Sequence, residues 1–201
     1  LLEAKESNLT NILALRGDPP EGSVEWQNKN QPFNYGVDLV NYIRKNYNDT
    51  FFIAVGGYPE THQEQSDADL DIDYLKEKVD AGVDMIVTQL FYDIDKFFIF
   101  RDKCLSSGID IPIIPGIMPI HNYARFRKFT EFCNVSIPKI ILKKLGPIKN
   151  NDANVIQYGI EQGSIMCEKL IKEDVPGLHF YTLNLEHSVK EILHSIGLAS
   201  D

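Results

Sequence analysis

Polar residues able to do chemistry stand where apolar runs give way to turns. Leu15-Arg16-Gly17-Asp18-Pro19-Pro20 ends one such run with a cation, a flexible residue, an anion and two prolines. Pro19 restricts Asp18 to extended backbone, which presents its carboxylate instead of burying it in a helix. Polar groups at strand ends concentrate in sites, but spacing alone reads it first as an Asp in an ordinary turn, with Arg16 paired to a surface acid. Gln89 interrupts the run Met85-Ile86-Val87-Thr88-Gln89-Leu90-Phe91. A buried amide costs roughly 1 to 3 kcal/mol when unsatisfied, so it is either bonded internally or aimed at a ligand, and its donor and acceptor suit the edge of a heterocycle. Tyr58-Pro59-Glu60-Thr61-His62 leads into Asp67, Asp69, Asp71 and Asp73, acids that complement a helix N-terminus. His62 by itself reads as a loop residue, and without a second His or Cys at ligand spacing a metal site is disfavoured. The chain contains no HExxH, P-loop or GxSxG signature, so hydrolase and nucleotide-triphosphatase readings lose their usual anchors.

These residues need elements to hold them. Apolar, β-branched runs over Asn11–Gly17, Phe51–Tyr58, Met85–Tyr92, Ile111–Met118 and Leu178–Asn184 read as strands, and their near-continuous apolar character points to a parallel sheet covered on both faces. Between them, stripes of helical period run through Val37 to Tyr47, Ala68 to Val79, Phe97 to Cys104, Ile156 to Leu170 and Val189 to Ile196. Repeated βα units close as a barrel or stay open as a doubly wound sheet. The barrel is preferred, because Asp18, Tyr58, Gln89, Met118 and Tyr181 fall at or beyond C-terminal strand ends, where barrel enzymes build their sites, and no GxGxxG follows a strand. A (β/α)8 TIM barrel has eight strands, so five readable strands in a chain that opens on Leu1 predict the last five βα units of one domain. Phe97, Phe98, Phe100, Phe126, Phe129 and Phe132 have helical spacing and read as core, whereas Lys139, Lys143 and Lys144 read as a solvated helix face.

Composition narrows the partners. With 20 Lys plus Arg against 29 Asp plus Glu, the formal net charge of -9 disfavours nucleic acid as a partner. No apolar run approaches the roughly 20 residues of a membrane span. Cys104, Cys133 and Cys167 are odd in number and far apart, which predicts free thiols and a cytoplasmic location.

Taken together, NILALRGDPP, FNYGVDLV, the YPExH segment, LKEKVDAGVDMIVTQLFYD, IPIIPGIMPI, IKNNDANVIQYGIE and VPGLHFYTLN resemble methylenetetrahydrofolate reductase. The resemblance implies an FAD-binding (β/α)8 barrel that reduces 5,10-methylenetetrahydrofolate to 5-methyltetrahydrofolate. NADPH or NADH would be the electron donor in a ping-pong cycle through the flavin, and the full-length protein would be a homo-oligomer. It further implies that Arg16, Gly17 and Asp18 line the flavin with Tyr35, Gly36, Tyr58 and His62, that Asp71 serves the adenosine half, and that Lys78 serves the phosphates. Asp18 would act beside flavin and folate, Gln89 would bond the pterin edge, and Tyr181 would contact the ligand beside it. The family's general acid, a Glu on the first barrel strand, has no counterpart here, so the chain by itself is not expected to complete the reaction.

Three positions depart from the family pattern. Gln63-Glu64-Gln65 replaces the common Pro-Glu-Ala, Leu185 stands where many members carry an Arg that meets the folate tail, and Arg125 replaces a Gln. A non-catalytic flavin- or folate-binding module is the alternative function. A barrel lyase or aldolase would want a strand-end Lys or a metal cluster, which the strand ends lack. The S-adenosylmethionine-responsive domain carried by some members is not expected within the 201 residues.

Overall fold

A computed structural model of the chain describes residues 1–17 and 33–199. Five strands, β1 (Asn11–Ala14), β2 (Phe52–Gly57), β3 (Met85–Leu90), β4 (Ile113–Ile117) and β5 (His179–Phe180), pair in parallel in the order β1-β2-β3-β4-β5. The helices are α1 (Leu2–Glu6), α2 (Gly36–Tyr47), α3 (Ala68–Asp80), α4 (Ile94–Ser106), α5 (Tyr123–Phe132), α6 (Lys139–Leu145), α7 (Asp152–Lys172) and α8 (His187–Ser195). A doubly wound sheet reverses its strand order at a switch point. This sheet never reverses, and its strands run in chain order as in a barrel, so the architecture is α/β and that of a partial TIM barrel.

Alternation along the strands sorts the side chains onto two faces. Ile53, Val55, Ile86, Ile113 and Ile117 join Val40, Ile43, Ile72, Leu75, Phe97, Phe100, Met166 and Leu170 of the helices in one buried core. Each fully buried Ile or Phe there contributes about 1.5 to 3 kcal/mol. On the opposite face Leu13, Leu15 and Phe52 are 46%, 53% and 43% exposed. A second core, Leu90, Tyr92, Met118, Ile120, Phe126, Val135, Ile141, Leu145 and Val155, ties the ends of β3 and β4 to α5, α6 and the start of α7.

At the opposite, N-terminal ends of the strands Arg44 acts as a clamp. Its guanidinium donates to the carbonyls of Gly82, Asn48 and Phe51 at 2.8, 3.1 and 2.8 Å and to Asp84 Oδ2 at 2.6 Å. That same Asp84 oxygen accepts from the Ile53 amide at 2.7 Å, joining α2 to β2 and the entry of β3.

The structure trims several sequence expectations. β1 stops at Ala14, and β5 is two residues long because the chain turns at Leu183 and Asn184, both left-handed at φ 49° and 60°. α1 carries no apolar stripe, and none of its residues is buried. Phe132 is 62% exposed and is not core, since six residues on from Phe126 it projects about 120° away from the buried face of α5. Phe97 and Phe100 are buried as expected, and Lys139, Lys143 and Lys144 are exposed. Cys104 and Cys167 are buried free thiols. Among the described residues no helix is long and apolar enough to cross a membrane.

Candidate active site at the C-terminal strand ends

The first half of the site is assembled by the exits of β1 and β2, the start of α2 and the inner side of α3. Arg16, two residues past β1, places Nη2 2.5 Å from Glu64 Oε1 in the loop after β2. Their hydrogen bond raises the guanidinium above its ordinary pKa and holds the Glu64 carboxyl below its own. Glu64 is the one residue of Gln63-Glu64-Gln65 that matches the family's Pro-Glu-Ala, so the acid that orients Arg16 is kept in a loop altered on either side of it. His62 stands edge-on to Tyr58, ring centroids 4.6 Å apart. Its Nδ1 accepts from the Glu64 amide at 3.2 Å, and burial lowers the imidazole pKa, which together favour the neutral ring.

α3 begins on an N-cap: Asp67 Oδ1 accepts from the amides of Asp69 and Leu70 at 2.9 and 3.3 Å. One turn on, Asp71 turns back to the loop and accepts from the His62 amide at 3.1 Å, and burial raises its pKa. Helix capping therefore explains Asp67 and leaves Asp71 as a loop anchor. Lys78, two turns further, is half-buried, and burial lowers its ammonium pKa although Asp71 lies close enough to oppose this. It makes no direct ion pair or hydrogen bond with any described residue. At the start of α2, Asp38 reaches back to accept from the amides of Asn34 and Tyr35, both at 2.9 Å. This sets Gly36 beside Lys78, whose Cε would be 4.0 Å from a Cβ on that glycine. A half-buried cation without a direct partner, next to a helix N-terminus, suits an anionic group such as a phosphate.

The second half is built on β3 and β5. Val87 pairs with Ile114 but Leu90 pairs with Gly116, so β3 carries one extra residue in a bulge over Thr88 and Gln89. Bulges redirect side chains and leave ladder groups unpaired. Here side chains take three of those groups. Thr88 Oγ1 accepts from the Gly116 amide at 2.9 Å, the Thr88 carbonyl accepts from the Tyr181 hydroxyl at 2.9 Å, and Gln89 Oε1 accepts from the Leu90 amide at 2.9 Å. The Gln89 amide nitrogen has no hydrogen-bond partner among the described residues. Burial, with Tyr58 close by, pushes the Tyr181 phenol up to about 12, so it remains a donor at neutral pH. Gly116 is obligatory, because a Cβ would sit 2.2 Å from the Thr88 carbonyl oxygen and 2.7 Å from Tyr181 Cε2.

A groove of about 530 Å³ continues from these strand ends between the turns that follow β4 and β5. Arg125 and Leu185, two of the positions that depart from the family pattern, both line it. His121 Nδ1 lies 3.1 Å from Ser188 Oγ, while its Nε2 is buried without a partner among the described residues.

The structure thus brings Arg16, Tyr35, Gly36, Tyr58, His62, Asp71 and Lys78 around one strand-end region, with Tyr181 joined to it through Tyr58 and Gln89 adjoining Thr88, to which Tyr181 donates. Gly17 has nothing within 4 Å of a would-be Cβ, and Asp18, with Pro19 and Pro20, lies outside the described residues. Sequence reasoning missed Glu60, whose two carboxylate oxygens each lie 3.2 Å from the Ser136 amide and link this loop to the α5–α6 segment. It also missed Glu64 and Thr88. The available signals were an acid kept between two altered loop residues and a hydroxyl beside Gln89. Among the described residues no group of three or more His, Cys, Asp or Glu could hold a metal.

Comparison with known proteins agrees with these motifs. Methylenetetrahydrofolate reductase (NADH) 1 of Zea mays is 47% identical over 206 residues, covering 98% of this chain and 35% of that protein. Methylenetetrahydrofolate reductase 1 of Schizosaccharomyces pombe is 46% identical, covering 100% and 33%. A Caenorhabditis elegans relative whose name specifies NADPH is 41% identical, covering 98% and 30%. The chain therefore spans about a third of the length of these curated relatives. A solved Clostridium thermocellum protein, described as binding two copies of 5-methyl-5,6,7,8-tetrahydrofolic acid, shares the fold at TM-score 0.58 and 15% identity, covering 81% of this chain and 59% of that one. The methylenetetrahydrofolate reductase family model matches residues 1–197, the stretch that carries every motif placed above, and this chain therefore belongs to the methylenetetrahydrofolate reductase family.

Proposed function

We propose that this chain forms the last five βα units of an eight-unit barrel that reduces 5,10-methylenetetrahydrofolate to 5-methyltetrahydrofolate with NADPH or NADH, through bound FAD in a ping-pong cycle. The observation that carries this reading is the meeting of Arg16, Tyr58, His62, Asp71 and Lys78 at the strand ends, with Lys78 half-buried and lacking a direct partner. Those residues fit a dinucleotide flavin: a cation and a helix N-terminus for its diphosphate, an acceptor in Asp71 for its adenosine half, and the aromatic edge of Tyr58. Held by these residues, FAD would supply two-electron hydride chemistry between the nicotinamide and the folate's one-carbon unit.

The protein's own residues bind, orient and polarise. Lys78 holds phosphate, while the neutral His62 keeps the loop closed on Tyr58 through the Glu64 amide. Gln89 offers its amide N–H groups to the pterin edge, and the Tyr181 ring lies beside it. Asp18, with Arg16 and Gly17, is the residue we assign to the reacting end. A fixed carboxylate there favours the iminium cation that forms on the folate nitrogen before reduction and disfavours extra negative charge on the flavin. Folate as partner is in keeping with the Clostridium thermocellum neighbour. We place the enzyme in the cytoplasm, as a homo-oligomer, in keeping with its free thiols.

The test is Asp18→Asn in the full-length holoenzyme with the two half-reactions followed separately. Slow reoxidation of the flavin by methylenetetrahydrofolate with FAD still bound is the expected result. An unchanged folate half-reaction would remove Asp18 from the chemistry. Flavin that stays bound in the unsubstituted protein but never exchanges electrons with folate would favour the non-catalytic binding module.

A further inference from the structure

We infer that the Tyr181 hydroxyl is a positioning group: through the Thr88 carbonyl it locks the β3 bulge and thereby fixes the direction in which Gln89 presents its amide. This rests on the reading of Gln89 as the pterin contact. The hydroxyl donates to the Thr88 carbonyl at 2.9 Å across 93 residues of chain, from β5's exit to the bulge. Thr88 is fully buried and uses its own hydroxyl oxygen to accept the Gly116 amide, so its carbonyl and its hydroxyl are both committed and neither β4 nor the exit of β5 can slide past it without breaking a bond. The next residue is Gln89, whose Oε1 is held by the Leu90 amide. With its oxygen tied down, the side chain has one free end, the amide nitrogen, and its direction is set by the bulge geometry. Tyr181 is thereby bonded to the residue adjoining Gln89, while its ring, packed over Gly116, fills the space a side chain would need.

Tyr181→Phe removes the hydroxyl and keeps the ring, so the fold is preserved and only the bond to Thr88 is lost. In the full-length holoenzyme the expected result is a folate half-reaction slowed about tenfold, the equivalent of one neutral hydrogen bond, with flavin reduction by NADPH within about twofold of wild type. Hydrogen–deuterium exchange should rise in the peptides spanning 86–92 and 113–118. A double-mutant cycle with Gln89→Ala separates positioning from direct contact. If Tyr181 acts through Gln89, Tyr181→Phe has little further effect once Gln89 is truncated. Fully additive losses, or an unchanged folate half-reaction and unchanged exchange in Tyr181→Phe, would overturn the inference. Should Gln89→Ala alone leave the folate half-reaction intact, the assignment of Gln89 to the pterin fails first and the positioning role falls with it. Loss of activity in Tyr181→Phe without any change in exchange also overturns it, since the hydroxyl would then be acting on the substrate.

Discussion

Replacing Gly116 by Ala should cost far more than the single methyl group suggests. The added Cβ would lie 2.2 Å from the Thr88 carbonyl oxygen, against an ordinary contact of about 3.4 Å or more, and 2.7 Å from Tyr181 Cε2. The nearest atom is backbone of a central strand, so relief requires β3 and β4 to separate by about an ångström instead of a side chain turning aside. Separation stretches the Gly116 amide bond to Thr88 Oγ1, and displacing Tyr181 stretches its bond to the Thr88 carbonyl. Overpacking contributes about 1 to 3 kcal/mol and two weakened hydrogen bonds about 1 kcal/mol each, giving about 3 to 5 kcal/mol of destabilisation. That is a large part of the stability of a typical domain. Urea denaturation followed by circular dichroism measures it, with Gly177→Ala as the control, because a Cβ there would meet only Ile114 Cδ1 at 3.5 Å. A Gly116→Ala midpoint no lower than that of Gly177→Ala would refute the packing argument.

Other consequences follow from the same geometry. Lys78→Met should weaken FAD binding about 10- to 100-fold, the worth of one charge-assisted hydrogen bond, without altering folate KM, as fluorescence titration of the apoprotein would show. Arg44→Ala removes four donated hydrogen bonds and should destabilise the protein by about 3 kcal/mol or more; Arg44→Lys should recover little, because an ammonium cannot reproduce the planar fork. Burial lowers the His62 pKa, so the neutral ring is favoured in the folded state. Its contribution is therefore present above the unfolded value of about 6.5 and is lost as pH falls through and below it. Glu64, lowered by Arg16, contributes above its unfolded value of about 4.3 and is lost only at more acidic pH. Melting temperatures from pH 4 to 8 should thus show an upper acid limb, shared with His121 and His179 whose pKa values burial also lowers, that His62→Gln reduces and Glu64→Gln leaves in place.

The five strands were readable because β-branched runs bounded by Gly, Pro and Asp have few other uses, and the polar residues at their C-terminal ends were enough to prefer a barrel. The length of β5 was not readable. Leu178–Asn184 has strand composition, but Tyr181 is spent on Thr88 and the backbone turns left-handed at Leu183 and Asn184, neither of which composition encodes. Gln89 stood out because an amide interrupts an apolar run. The bulge that aims it did not, since one additional residue in a strand leaves the pattern of types unchanged. Arg16 was legible as a candidate and its partner was not: Glu64 lies 48 residues away in a loop whose sequence departs from the family, and only the fold brings them together. Phe132 shares a helix with Phe126, yet one is exposed and the other buried, because six residues at about 100° each turn Phe132 about 120° off the buried face.

The central claim is that this family member passes electrons from a nicotinamide to a folate through flavin, and the visible absorption spectrum tests it most directly. The full-length protein, purified without added cofactor, should show bound flavin that bleaches under anaerobic NADPH and regains its colour when methylenetetrahydrofolate is added. A folded protein that neither retains nor takes up FAD, or whose reduced flavin is untouched by the folate, would contradict the account.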